Sequence, residues 1–139
     1  MRKLIFLCLI LTGIVLSSCE WRKYESGPTI SVVTPRERVT NTWRWKLAIE
    51  DGENLTGILK DSTITFATDQ TLRICGPDGG CRDGKWDLVR RNTKLNLIFG
   101  ETANALDIEF LTLGEMWLRG TTSDSTLSLE WDLVPADSE

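Results

Sequence analysis

Thr63-Ile64-Thr65-Phe66-Ala67-Thr68-Asp69-Gln70-Thr71-Leu72-Arg73-Ile74 decides the fold. Ile64 and Phe66 alternate with threonines, and Leu72 and Ile74 flank Arg73 in the same rhythm. Side chains along a strand point to opposite faces in turn, so each half reads as a strand with one apolar face. A three-residue loop over Thr68-Asp69-Gln70 pairs Ala67 with Thr71. That register sets Phe66 opposite Leu72 and gathers the apolar residues on one side.

The same period runs outward in both directions. Upstream, Trp43, Trp45, Leu47 and Ile49 share one face, and Arg44, Lys46 and Glu50 the other. A turn at Asp51-Gly52 then leads through a polar stretch to Asp61, which suits a short helical turn or an irregular loop. Downstream, Trp86 and Leu88 precede a turn at Arg91-Asn92, and Leu95, Leu97 and Phe99 follow it. Pairing Leu88 with Leu95 keeps the apolar faces together. Leu106, Ile108 and Phe110 make the next strand, and Met116-Trp117-Leu118 the one after. Leu127, Leu129, Trp131 and Leu133 alternate in the last strand, which Pro135 ends.

Eight strands joined by mostly short turns predict an all-β fold, an eight-stranded up-and-down antiparallel β-barrel. Closing the sheet on itself removes exposed edges. A two-sheet sandwich is the alternative, and its crossing connections need longer loops. The inward positions are nearly all bulky, Met116 and Leu118 among them unless a shorter turn brings Trp117 inside instead. An eight-stranded barrel is just wide enough to be filled by its own side chains or to hold one small ligand. A small cavity near one open end is therefore expected. Ile98, Leu111 and Trp117 on the outer parity would together form an apolar patch.

The cysteines point to an exported protein. Cys75 and Cys81 flank Gly76-Pro77-Asp78-Gly79-Gly80, and in such a protein an even pair reads as a disulfide stapling a hairpin. The chain starts with Arg2 and Lys3, and Leu4 to Leu16 is mostly apolar. Leu16-Ser17-Ser18-Cys19 follows. A basic start, a short apolar run and small residues at the cut describe a secretory signal. The run is shorter than the roughly 20 apolar residues of a membrane span. The box resembles the bacterial lipobox. That resemblance implies diacylglycerol on the sulfur of Cys19, cleavage after Ser18 and acylation of the new amine. Each buried CH₂ contributes roughly 0.8 kcal/mol, so two or three chains hold a protein on a membrane. An ordinary signal with an incidental cysteine is the other reading. The expected organisation is a signal at 1–18, a lipidated cysteine with a flexible tether at 19–40, a barrel at 41–135 and a tail at 136–139. As random coil the tether reaches roughly 25 Å, with Trp21 and Tyr24 beside the lipid.

The assembled pattern resembles the lipocalin-like domains of small bacterial lipoproteins. The resemblance rests on Asn41-Thr42-Trp43, Thr63-Ile64-Thr65-Phe66, Gly84-Lys85-Trp86-Asp87-Leu88 and the closing Leu129-Glu130-Trp131. It implies that Trp43 closes one end of the barrel, with Asn41 where glycine is usual. It also implies a binding barrel in the cell envelope, on the outer membrane by preference, with a small apolar ligand. The candidate lining is Trp45, Phe66, Trp86, Phe110 and Trp131, each of which also suits plain core packing.

Charge and composition narrow the chemistry. Residues 1–18 carry two cations and no acids, so the −4 of the 139-residue chain becomes −6 for the 121 that remain. An acidic surface argues against nucleic acid and against electrostatic adhesion to anionic lipid. The chain has no histidine, the commonest general base and metal ligand. Asp107 with Glu109, or Asp61 with Asp69, have the spacing of any solvated strand or turn. Asp51, Glu53 and Asn54 lack the rest of a calcium loop. No enzyme activity, metal or cofactor is expected. The alternative to ligand binding is a packed barrel that meets an envelope partner through its outer wall.

Overall fold

The computed structural model describes Tyr24, residues 32–122 and residues 127–137. A short helix, α1 (Pro35–Val39), precedes nine strands: β1 (Asn41–Glu50), β2 (Glu53–Asn54), β3 (Thr63–Phe66), β4 (Thr71–Cys75), β5 (Cys81–Val89), β6 (Lys94–Phe99), β7 (Thr102–Leu111), β8 (Met116–Thr121) and β9 (Ser128–Pro135). Each strand from β3 to β9 pairs antiparallel with the next, and β1 pairs with both β3 and β9. The sheet is thereby a closed eight-stranded up-and-down barrel. The two-residue β2 only extends the turn after β1.

The hairpin over 63–74 forms in the expected register. Phe66 faces Leu72, and the Ala67 amide donates to the Thr71 carbonyl at 2.9 Å. Leu88 faces Leu95 as expected. Two bulges reset the facing of other residues. In β1 the register against β9 shifts between Trp45 and Leu47, so Ala48 rather than Leu47 or Ile49 turns inward beside Trp131. Ala48 is fully buried there, and Leu47 and Ile49 are only partly covered on the outside. In β7 the register against β8 shifts between Ile108 and Phe110. Leu111 then enters the core opposite Met116, which takes it out of the expected outer patch. Phe110 faces outward, opposite Trp117.

One end of the barrel is sealed by α1. Thr34 caps the helix: its hydroxyl accepts from the Glu37 amide, and the Glu37 carboxylate accepts from the Thr34 amide. The Thr34 hydroxyl also donates to the Glu37 carboxylate at 2.7 Å, and this bond first, then the one from the Thr34 amide, holds the Glu37 carboxyl below the usual carboxylate range. Pro35 stands in the first turn, where its missing N–H is not needed. Val39 is fully buried, and the Trp43 indole donates to its carbonyl at 2.9 Å. Arg38 is buried too, donating to the Leu111 carbonyl at 2.8 Å and lying over the Tyr24 ring. Within 19–40, read from sequence as free tether, a helix and a docked tyrosine therefore fix the chain to the barrel. Their apolar surfaces, Val39 and Tyr24, are too sparse to show a period, which is why the sequence reads as linker.

The other end holds the turns after β1, β4, β6 and β8. The Cys75–Cys81 disulfide spans the turn between β4 and β5. The interior is not uniformly bulky. Gly84 and Gly120 share the inner face with Trp86 and Leu118, and larger neighbours fill their space. A Cβ on Gly84 would stand 2.5 Å from the Ile98 carbonyl oxygen and 2.8 Å from the Phe99 ring. One on Gly120 would stand 2.8 Å from a Leu106 methyl.

Because backbone blocks the Gly84 position, Gly84→Ala should destabilise by about 1–3 kcal/mol. Gly57→Ala, where nothing lies within 4 Å, should stay within about 0.5 kcal/mol. Urea unfolding of both variants checks the contrast; equal midpoints would refute the packing described.

Candidate functional site

The five residues expected to line a ligand cavity divide into three groups. Phe66 and Trp86 form the floor at the α1 end. Their rings meet edge to face at 5.6 Å, and both are essentially without solvent exposure. The Trp86 indole donates to the Ala67 carbonyl at 2.9 Å, and the Arg36 guanidinium lies 5.2 Å from its ring. Arg36 in turn bonds Asp87, which also accepts from Gln70. Every polar atom of Trp86 is thus committed to holding the floor. Trp43, expected to close one end, stands in this same floor.

Phe110, expected in the lining, does not face the interior. The β7 bulge places it outside, stacked on Trp117 at 4.8 Å between ring centroids. Beside them Lys46 pairs with Glu115 at 2.9 Å. The Trp117 indole and then Lys46 hold the Glu115 carboxyl below the usual carboxylate range. Arg119 forms a second charged cluster on this wall, with Glu109, Glu130 and Asp132.

Trp45 and Trp131 remain inside. Their rings meet edge to face at 5.6 Å. Trp45 is buried, while Trp131 is partly exposed. The β1–β3 register runs Arg44 to Thr63, and one step further sets Trp45 opposite Ser62. Ser62 is fully buried. Both residues carry a buried polar atom without a hydrogen-bond partner, Nε1 of Trp45 and Oγ of Ser62. A buried polar group left unpaired costs about 1–3 kcal/mol. These two stand on facing positions of an apolar wall.

A loop roofs this part of the barrel. The Leu55 amide donates to the Ala48 carbonyl at 2.8 Å, and the Thr56 hydroxyl accepts from the Ala48 amide at 2.9 Å. Leu55 and Leu59 pack on the core, and the Ser62 amide donates back to Leu59. Ser62 went unrecognised in the sequence because it ends a polar stretch. Continuing the alternation of Phe66 and Ile64 one step back would have placed it inside.

At the mouth an exposed arginine stands on the inner parity of β5. Arg82 lies over the Phe99 ring at 4.4 Å from its centroid. Its neighbour Arg73 instead pairs with Asp83 through two bonds on the outer face. A surface cleft of about 440 Å³ runs beside Asp83, Lys85, Ile98 and Gly100, and a smaller one of about 210 Å³ lies by Arg36, Glu37, Thr40 and Thr68. Neither includes Trp45 or Ser62 in its lining. Asp51, Glu53 and Asn54 sit in the exposed turn around β2. Among the described residues no group of three acidic or cysteine side chains could cage a metal.

Ser62→Ala removes an unpaired buried hydroxyl and should raise the stability of the ligand-free protein by about 1 kcal/mol. Thermal or urea unfolding measures this. A loss of similar size would mean that the hydroxyl is already satisfied.

No protein-family model matches the chain, and no curated protein matches it. The barrel, eight antiparallel strands in up-and-down order closed by β1 and β9, has a topology compatible with a calycin-like fold.

Proposed function

We propose that this protein is a lipocalin-like, membrane-anchored binding module of the bacterial envelope, without catalytic activity. Its ligand is a small molecule with a compact apolar body and one hydrogen-bond acceptor. The observation that carries the reading is the pair of unpartnered buried polar atoms, Trp45 Nε1 and Ser62 Oγ. An acceptor atom between them takes the indole proton and meets the hydroxyl, while Trp131 and the roof residues Leu55 and Leu59 cover the apolar remainder. Filled space at Gly84 and Gly120 keeps the ligand small. The lipobox resemblance of Leu16-Ser17-Ser18-Cys19 supports the anchor.

A second reading has one observation behind it. The stacked Phe110–Trp117 pair on the outer wall offers aromatic area of the kind protein partners use. Under that reading the barrel is a packed scaffold and its interior binds nothing.

Native mass spectrometry on the oxidised full-length protein, incubated with a lipid and small-molecule extract of its host, separates the two. An added mass should persist on the wild type. Trp45→Phe keeps an aromatic ring but loses the N–H and part of the indole's bulk, and should weaken retention at least about tenfold, the value of one hydrogen bond. A clean apo mass, or equal retention by Trp45→Phe, would contradict the interior site. Trp117→Ala should leave the added mass unchanged.

A further inference from the structure

The two unpartnered atoms of the interior are shut away from solvent. Trp45 is 5 % exposed and Ser62 1 %. A guest reaches them only if part of the mouth moves, and the connections there differ in their freedom. The turn from β4 to β5 has five residues, 76–80, and the Cys75–Cys81 disulfide staples its ends. The turn from β6 to β7 has two, Gly100 and Glu101. In the turn from β8 to β9 the Thr122 amide donates to the Leu127 carbonyl at 2.9 Å and closes its base. The connection from β1 to β3, the roof, has twelve residues, 51–62, and no disulfide crosses it.

The roof hangs on few bonds. The Asp51 amide donates to the Ser128 carbonyl at 2.8 Å, which fixes its root. Asp51 and Gly52 then turn the chain back with φ of +48° and +81°. The β2 ladder on β1 is only two residues long. Beyond it, the hydrogen bonds from residues 55–61 to the barrel all fall on Ala48 among the described residues. The Leu55 amide donates to its carbonyl at 2.8 Å, and the Thr56 hydroxyl accepts from its amide at 2.9 Å. The remaining bonds are internal: Ile58 and Leu59 donate to the Leu55 carbonyl, and Ser62 to that of Leu59. Residues 55–62 are thus one folded unit. Ile58 on it is 69 % exposed, and nothing lies within 4 Å of a Cβ on Gly57. A segment with so few ties to its neighbours opens more easily than the strands beneath it.

We propose that residues 53–62 are a gate over the interior site, latched by the Thr56 hydroxyl on the Ala48 amide. Opening pivots at Gly52 and Ser62, breaks the bonds at Ala48 and lifts Leu55 and Leu59 from the core. Ser62 belongs to both gate and site. A guest that bonds its hydroxyl therefore favours the closed form and holds the gate over itself. The gate rests on the interior site proposed above.

Deuterium exchange of the indole protons, followed by NMR on the ligand-free, oxidised full-length protein, tests the gate without any ligand. The Trp43 and Trp86 indoles, bonded to floor carbonyls, are the controls. In the wild type, Trp45 exchange should rise little with urea, because a local opening exposes little surface, and that of the controls steeply. Thr56→Val keeps the shape and loses the hydroxyl. It should speed Trp45 exchange several-fold, up to about tenfold for one hydrogen bond, and leave the controls unchanged. Thr56→Ser should keep the wild-type rate. A Trp45 rate as steep in urea as the controls, or unmoved by Thr56→Val, overturns the gate. Native mass spectrometry then tells the two failures apart. An added mass with unmoved exchange overturns the gate alone, and faster exchange with a clean apo mass overturns the interior site and the gate's purpose with it.

Discussion

Closure of the sheet by the β1–β9 ladder is the constraint on which the rest depends. Once β1 pairs with β9, the circumference is fixed at eight strands, and the enclosed space admits little beyond the barrel's own side chains. Every inward residue then competes for the same volume. The interior is solved by exchange of bulk across neighbouring strands: Phe99 fills the space over Gly84, and Leu106 that over Gly120. Trp45 and Trp131 stand edge to face, and the position beside Trp131 takes Ala48. The bulge in β1 brings the alanine, rather than a leucine or isoleucine, to that crowded place. The bulge in β7 does the converse and moves Phe110 out of a core that Leu111 and Met116 already fill.

Much of this was legible because a half-buried strand writes its face into its alternation. The hairpin over 63–74, the pairing of Leu88 with Leu95, the number of strands and the disulfide all follow from local pattern and turn chemistry. The bulges do not. Trp43, Trp45, Leu47 and Ile49 alternate without a break, and only packing against Trp131 breaks the period. Glu109 sits in an equally regular run, so Phe110 reads as inward from the sequence and stands outside. Such tertiary overrides of a local pattern leave no mark in the residues themselves. Helix α1 has a readable cap in Thr34-Pro35-Arg36-Glu37, but its five residues are too short for a period. Ser62 was readable in principle, since it continues the inward parity of Ile64 and Phe66.

The two ends of the molecule have different chemistry. At the α1 end the indoles of Trp43 and Trp86 donate to the carbonyls of Val39 and Ala67, and Arg36 and Arg38 tie the helix to the wall. These bonds fix the floor, where Arg38 Nε is also buried without a partner. Nearer the mouth Trp45 and Ser62 are buried without partners, under a roof held to β1 by Ala48. Unpaired buried groups in a native protein call for an explanation, and the proposed ligand would supply one. The disulfide and the paired Arg73 and Asp83 brace the hairpin that overhangs this mouth.

The tryptophans themselves offer the most direct measurement. Each indole N–H gives its own signal in a nitrogen–proton correlation spectrum, and its position reports its hydrogen bond. On addition of a host small-molecule extract the Trp45 signal should move, since an acceptor arrives where none was. The Trp43 and Trp86 signals, already bonded to carbonyls, should stay. A Trp45 signal that stays while Trp117 moves would contradict the account and shift the working surface to the outer wall.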